Sequence, residues 1–213
     1  MKLISIVARI IAPAAFLLGV SIAARAQSGA AILTHHNDYR RTGWNYAETI
    51  LTPDSISAAS NNFGVIATVN NLDDTVYAQP LILPNVQIYC PPNQAIITCQ
   101  TGLSGLYNVV YVATVANTVY AINAVNGQIL LSRNFGLPGN CNGGIKSTPV
   151  IDPVSGALYV MTHTANGVEN GPQIFTLHAL NVRTLRSGVL HECFLQRHPT
   201  KSFHHHLGRW TSA

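Results

Sequence analysis

The stretch that decides the fold is VVYVATVANTVYAINAVNGQILL, residues 109–131. It contains three short runs of β-branched and aromatic residues, separated by AN and by NG, and both pairs are typical of tight turns. Tight turns join antiparallel neighbours, so the spacing predicts three successive antiparallel strands at 109–114, 118–123 and 128–133.

The same pattern continues on both sides of this stretch, with short apolar runs bounded by Gly, Pro, Asn and Asp. Long amphipathic helical patterns are absent after the N-terminal region, so the sequence predicts an all-β fold. The further predicted strands are 63–69, 76–83, 148–151, 157–162 and 174–180, and another strand pattern occurs in GVLHECFL at 188–195.

Two parts of the chain repeat one order of motifs. YAQPLIL, NVVYVAT and TVYAINA are followed, in the same order, by STPVID, GALYVMT and IFTLHAL. Tyr111 and Tyr159 occupy equivalent places, 48 residues apart. A period of about 40–50 residues with about four strands per unit predicts propeller blades. A blade buries both faces against its neighbours, which explains why the strands are almost continuously apolar.

The stretch 109–131 resembles the repeat of the pyrroloquinoline-quinone (PQQ) β-propellers, the quinoprotein alcohol dehydrogenase-like superfamily, in its Tyr-Val strand, its VYAIN strand and its NG turn. Asn123 stands where that repeat usually has Asp, and Leu131 stands where it usually has Trp. Both departures count against assigning chemistry to this stretch. The segments HNDYRRTGWNYAETILTP, FGVIATVNNLDDTVYAQPLILPNV and STPVIDPVSGALYVMTHT are similar to the opening of secreted members.

The resemblance covers residues 34–182 and implies a partial β-propeller, with about two four-stranded antiparallel blades and a leading strand at 63–69. In the dehydrogenases of this superfamily, the quinone lies between a Trp and a disulfide of adjacent cysteines, beside calcium and a catalytic Asp. This chain has no adjacent Cys pair, and its tryptophans, Trp44 and Trp210, lie near its two ends. PQQ and calcium are thus implied by the resemblance alone, and no catalytic, cofactor-binding or metal-binding residue is predicted.

Residues 1–26 have the pattern of a cleaved secretory signal peptide, with a basic start, an apolar run and an Ala24-Arg25-Ala26 site. The apolar run is shorter than the roughly 20 residues of a membrane-spanning helix. The mature protein is therefore expected to be secreted or periplasmic, exported by a bacterial Sec-type signal, without a stable membrane span. Residues 27–62 are interpreted as an extended lead and 63–182 as the partial propeller.

The net charge of +4 comes from the two ends of the chain, because residues 27–182 carry four basic and seven acidic side chains. A nucleic-acid partner is not predicted, since that needs basic residues gathered on the folded body. Open blade edges predict self-association instead. Export permits disulfides, and Cys90 and Cys99 bracket a loop that one bridge can close, although sequence alone does not fix the pairing.

Several polar clusters suggest a metal, calcium or phosphate site, but none has the spacing or support that such a site needs. They are His35 and His36 beside Asp38, Asp73 and Asp74, the glycine-rich 139–144, and the three histidines at 204–206. His163 and His178 fall in or at the ends of predicted strands and are interpreted as packed or edge residues.

The tail, residues 183–213, is basic and irregular. A closed ring of this kind needs roughly 300 residues, so we expect a truncated or frame-shifted reading of a longer propeller gene; an ordinary disordered terminus is the alternative. The predicted function is an exported scaffold or binding module with no catalytic centre of its own. The alternatives are a fragment of a quinone-dependent dehydrogenase, whose active site lies in missing blades, and a product with no function of its own.

Overall fold

Nine strands and one short helix form the described part of the chain. The computed structural model describes residues 30–46, 48, 51–58, 64–90, 96–99, 102–139, 143–165, 173–187 and 193–196, so the expected signal peptide and the histidines at 204–206 lie outside it. The helix is α1, Pro53–Ala58. The strands are β1 Leu81–Ile88, β2 Ile97–Cys99, β3 Gly105–Ala113, β4 Thr118–Asn123, β5 Ile129–Asn134, β6 Val150–Asp152, β7 Ala157–Ala165, β8 Gln173–Asn181 and β9 Cys193–Gln196.

The strands form two open antiparallel sheets, which confirms the all-β prediction. The first sheet has the order β1-β3-β4-β5-β2, and the second has the order β6-β7-β8-β9. Apart from β2, each sheet is a meander in which every strand pairs with the next strand in sequence. Short turns are sufficient for such connections, as the turn signals predict.

The two sheets share one pairing register. Tyr111 in β3 lies opposite Leu81 on one side and Ala121 on the other. Their counterparts in the second sheet are Tyr159, Val150 and Ala179. The repeat read from the sequence is therefore also a repeat of the hydrogen-bonded ladders.

The turns that follow β4 and β8 are also alike. In each, the side-chain oxygen of an asparagine, Asn123 or Asn181, accepts a hydrogen bond from the backbone N–H two residues on, at 3.0 and 2.8 Å. Four residues after each asparagine, Gly127 and Leu185 adopt positive φ angles of 72° and 54°. The structural repeat continues to Ser187, which bridges to the second sheet beyond that turn.

One buried core joins the sheets, and it shows how they stack. Tyr111 and Val109 of β3 belong to this core, whereas Val112 points to the opposite face, because side chains alternate along a strand. From the second sheet, Leu158 and Val160 enter the same core. The Tyr111 face of the first sheet thus packs on the Leu158 face of the second, and the Tyr159 face of the second sheet points away.

The predicted strand at 63–69 is wrong over its described part. Residues 64–69 form no strand and have no ladder partner in the described structure. Val69, with Leu72 and Val76, packs instead on the outer face of the first sheet, against Tyr120 and Ile122. A strand exists only where another strand supplies hydrogen bonds, and apolar alternation alone does not supply them.

The prediction of a strand at 76–83 is displaced, because β1 is Leu81–Ile88 and follows Pro80. The short strand β2 and the helix α1 have no counterpart among the predicted elements. β2 pairs with the outer edge of β5 and ends at Cys99, which forms a disulfide with Cys90, with the two Cα atoms 5.7 Å apart. The suggested pairing of these two cysteines is thus confirmed.

Candidate functional site

The lead segment is fixed to the start of both sheets. Ile32 and Ile82 exchange backbone hydrogen bonds of 2.8 and 2.9 Å, and the carbonyl of Leu33 accepts the N–H of Ile151 in β6. The loop that follows, residues 34–46, therefore projects from a supported base. We call it the lead loop.

Unusual backbone angles shape the lead loop. His36, Asn37, Arg41 and Gly43 all have φ between 55° and 71°, the left-handed region that costs most residues energy. Hydrogen bonds hold these turns: the Gly43 N–H donates to the His36 carbonyl at 2.9 Å, and the Asn37 side-chain N–H donates to the Trp44 carbonyl at 2.7 Å. The loop is tied together by its own backbone and side chains.

Asp38 is the acidic group of this loop. Its carboxylate accepts hydrogen bonds from the hydroxyl and the backbone N–H of Thr42. Hydrogen bonding by the Thr42 hydroxyl lowers the pKa of Asp38 below its usual value. The neighbouring His35 and His36 rings lie 4.0 Å apart, and desolvation followed by the charge of His36 lowers the pKa of His35.

Three large aromatic side chains of the lead loop face solvent: Tyr39 is 94% exposed, Trp44 69% and Tyr46 79%. The rings of Trp44 and Tyr46 meet edge to face at 6.2 Å. A cavity of about 350 Å³ opens beside them. Its lining residues include Thr34, Asn37, Asp38, Tyr39, Asn45, Tyr46, Val150 and Ile151.

A second cavity, of about 650 Å³, lies over β4, β5 and the loop before β1. At its edge, the Asp73 carboxylate accepts hydrogen bonds from the hydroxyls of Thr114, at 2.7 Å, and Thr118. The Asp73 N–H donates to the hydroxyl of Tyr120 at 3.2 Å, and burial raises the pKa of this tyrosine. Asp73 thus connects the segment before β1 to the β3–β4 turn by hydrogen bonds, and its role is structural.

Gly139 and Gly144, from the glycine-rich segment, contact β7 near its end. The His163 carbonyl accepts hydrogen bonds from the N–H groups of Gly139 and Gly144, at 2.9 and 3.0 Å, and from the Asn117 side chain at 2.9 Å. The His163 ring stacks on Phe175, with centroids 4.2 Å apart. A Cβ at position 139 would come too close to the side chains of His163 and Gln173, so a larger residue there would force these side chains to move.

His178 lies on the other face of the second sheet. Its Nε2 is 3.0 Å from the Thr162 hydroxyl, and its ring lies 4.4 Å from Phe135. His163 pairs with Phe175, and paired residues of antiparallel strands share a face of the sheet. His178 lies three positions after Phe175 in the same strand, and since side chains alternate along a strand, it lies on the opposite face. They do not form one cluster.

The described residues do not fit PQQ or calcium as the resemblance implies them. The disulfide of the described chain joins cysteines nine positions apart, and Trp44 stands exposed on the lead loop. Within the described ranges, no three His, Cys, Asp or Glu side chains gather closely enough to hold a metal ion. No described helix has the length and apolar character needed to cross a membrane.

Comparison with known proteins adds no relative. No known protein family matches the chain, and no curated protein matches it. The fold defines the class of protein as all-β with two open antiparallel sheets.

Sequence reasoning singled out His35, His36 and Asp38 as a weak metal candidate and missed the aromatic loop around them. The signal that existed was the density of aromatic and turn-forming residues in HNDYRRTGWNY. The exposure of Tyr39 and Tyr46 depends on how the lead is anchored, and that anchoring is not visible in local sequence.

Proposed function

We propose that this chain is an exported scaffold or binding module that contributes two consecutive blades of a PQQ-type β-propeller. The observation that carries the proposal is the common register, in which Tyr111 and Tyr159 have equivalent partners in two successive four-stranded meanders. The alike turns at Asn123 and Asn181 add a second shared feature. Successive sheets of one register are the expected product of a blade repeat.

The contacts between the sheets support this proposal. Carbonyl groups of the turn after β8 accept hydrogen bonds from the first sheet: Val182 from the Tyr111 hydroxyl at 2.7 Å, Arg183 from the Tyr89 N–H at 3.0 Å, and Leu185 from Arg133 Nη1 at 2.8 Å. The sheets therefore meet front to back. A front-to-back arrangement leaves one face of each kind for the next neighbour, as stacking around a ring requires.

Exposed apolar side chains support the proposal that further neighbours pack on this chain. Val65 and Ile66 are 85% and 83% exposed, in the segment 64–69 that has no ladder partner among the described residues. On the outer side of the second sheet, Leu177 is also exposed. Such surface and unpaired backbone favour association with other strands, so the isolated chain is expected to self-associate.

Light scattering tests the self-association. A charge at Ile66, introduced as Ile66→Lys, is expected to reduce the associated fraction, because it places a charge on the free segment. Val154→Lys is the matched control, since Val154 is also highly exposed, at 96%, but lies in the turn between β6 and β7. A chain that is a compact monomer without either substitution contradicts the open-blade interpretation.

Reconstitution tests the binding role against the dehydrogenase alternative. The purified full chain is incubated with PQQ and calcium, desalted, and examined for quinone absorbance. A binding module without a catalytic centre retains no quinone. Retention of one quinone per chain would sink the proposal and favour the dehydrogenase reading.

A further inference from the structure

We propose that the cavity beside the lead loop binds a neutral saccharide, whose C–H faces pack on Tyr39 and Tyr46 and whose hydroxyls donate to Asn37 and Asp38. The inference rests on the proposed binding role and specifies its ligand.

The aromatic side chains provide the first argument. Tyr39, Trp44 and Tyr46 expose large apolar surfaces within eight residues, and clustered exposed apolar surface on a soluble protein marks an interaction site. Tyr and Trp combine a flat apolar face with a polar edge and suit sites that are wet at one end. Sugar rings offer C–H groups on one face and hydroxyls at their edges, which match such side chains.

The polar atoms provide the second argument. One N–H of the Asn37 amide donates to the Trp44 carbonyl, and its side-chain oxygen and second N–H can serve a ligand. The Asp38 carboxylate accepts hydrogen bonds from Thr42 and from the backbone of Arg40 and Arg41, and it remains an acceptor at the edge of the cavity. The cavity thus presents both acceptors and donors, since Thr34, Tyr39 and Tyr46 add hydroxyl groups to its lining, and a ligand with several hydroxyls can pair with both kinds. Saccharides carry several O–H donors at fixed spacing.

The charges provide the third argument. Arg40 and Arg41 in the loop are balanced by Asp38 and Glu48, so the local field selects neither anions nor cations. Asp38 is the charged residue of the described lining, and it disfavours an anionic ligand inside the cavity. A quaternary ammonium ligand suits aromatic faces, but the two adjacent arginines oppose it.

The backbone provides the fourth argument. Four left-handed residues and the internal hydrogen bonds hold the loop in one shape before any ligand arrives. Ordering the site at the moment of binding lowers affinity, and a preformed site avoids that loss. The volume of about 350 Å³ is at the low end for small-molecule sites, which suits one sugar ring or the end of a chain.

Fluorescence titration tests the inference on the full chain. Trp210→Phe leaves Trp44, beside the cavity, as the sole tryptophan. Maltotriose, cellotriose, mannotriose and triacetylchitotriose are titrated, and at least one is expected to change the Trp44 emission. Tyr39→Ala and Tyr46→Ala should each weaken that binding about tenfold or more, as expected for loss of an aromatic anchor. Tyr77→Ala is the control, because Tyr77 is 64% exposed and lies outside the cavity.

Two further measurements keep the result unambiguous. Tyr46→Phe retains the ring and should bind nearly as the parent does, which separates loss of the aromatic face from loss of folding. Choline and trigalacturonate are titrated in parallel. The inference is overturned if no trisaccharide binds, if only choline or only trigalacturonate binds, or if both Tyr→Ala variants bind as the parent does. Quinone retention would overturn the binding module without touching this result, so the two failures are distinguishable.

Discussion

Replacing Tyr111 by Phe should weaken the junction of the two sheets, whereas replacing Tyr159 by Phe should not. Tyr111 is 1% exposed, and its hydroxyl donates to the Val182 carbonyl at 2.7 Å. Tyr159 has the equivalent place in β7 but faces away from the first sheet. The pair therefore offers one chemical change in two equivalent positions, with an inter-sheet hydrogen bond at only one of them.

The structure sets the expected magnitude. Phenylalanine keeps the ring, so no cavity forms, and the loss is confined to the hydroxyl bond and to the buried carbonyl that it satisfied. Leaving a buried acceptor unsatisfied costs about 1–3 kcal/mol. Val182 is only 4% exposed, so water does not easily replace the lost donor. With a loss of about 2 kcal/mol and a urea m-value of about 2 kcal/mol/M, the midpoint should fall by about 1 M.

Urea unfolding followed by circular dichroism measures both variants against the parent. Two protein concentrations are used, because self-association would make the midpoint depend on concentration. We expect a lower midpoint with an unchanged slope for Tyr111→Phe and no change for Tyr159→Phe. The stacking argument fails if Tyr111→Phe lies within about 0.3 kcal/mol of the parent, or if Tyr159→Phe is destabilised as much.

Two further predictions concern charge and pH. Burial raises the pKa of the Tyr111 hydroxyl, whereas the tyrosine of the unfolded chain ionises at about pH 10. The contribution of the neutral hydroxyl to the free energy of unfolding should therefore be complete below that pH. Above it, the free energy of unfolding should fall by up to about 1.4 kcal/mol per pH unit. Alkaline unfolding should show this loss in Tyr159→Phe and less of it in Tyr111→Phe. Asp73→Asn should lower thermal stability by about 1–3 kcal/mol, because it weakens bonds from two buried threonine hydroxyls. Asp74→Asn, whose carboxylate bonds only the next residue, should melt as the parent does.

The strands β3, β4 and β5, which contain most of residues 109–131, were predictable because each of them pairs with its neighbour in sequence. β4 has the predicted bounds, and β3 and β5 differ from the prediction mainly at their ends. Local patterns are sufficient where turn chemistry and apolar spacing act on adjacent strands. The repeat added register, since the same residue types recur at Tyr111 and Tyr159.

Elements that depend on distant partners were not predictable in this way. Residues 64–69 have the composition of a strand and lack a ladder partner in the described structure. β2 has only three residues and exists because β5 offers an edge and the Cys90–Cys99 disulfide closes the chain beside it. The shape of the lead loop was not predictable either, because non-glycine residues such as His36 and Arg41 adopt left-handed φ angles that their residue types do not indicate.

The turn geometry gives a physical reason for the asparagines at positions 123 and 181. At Asn123 and again at Asn181, the side-chain oxygen closes a turn by accepting a backbone N–H, and Asp supplies the same oxygen. Asparagine at these positions therefore preserves the turn, and its presence bears on architecture rather than on chemistry. Leu131 is fully buried in the core between the sheets. A tryptophan there would need more room, so the sheets would have to separate or smaller neighbours would have to surround it.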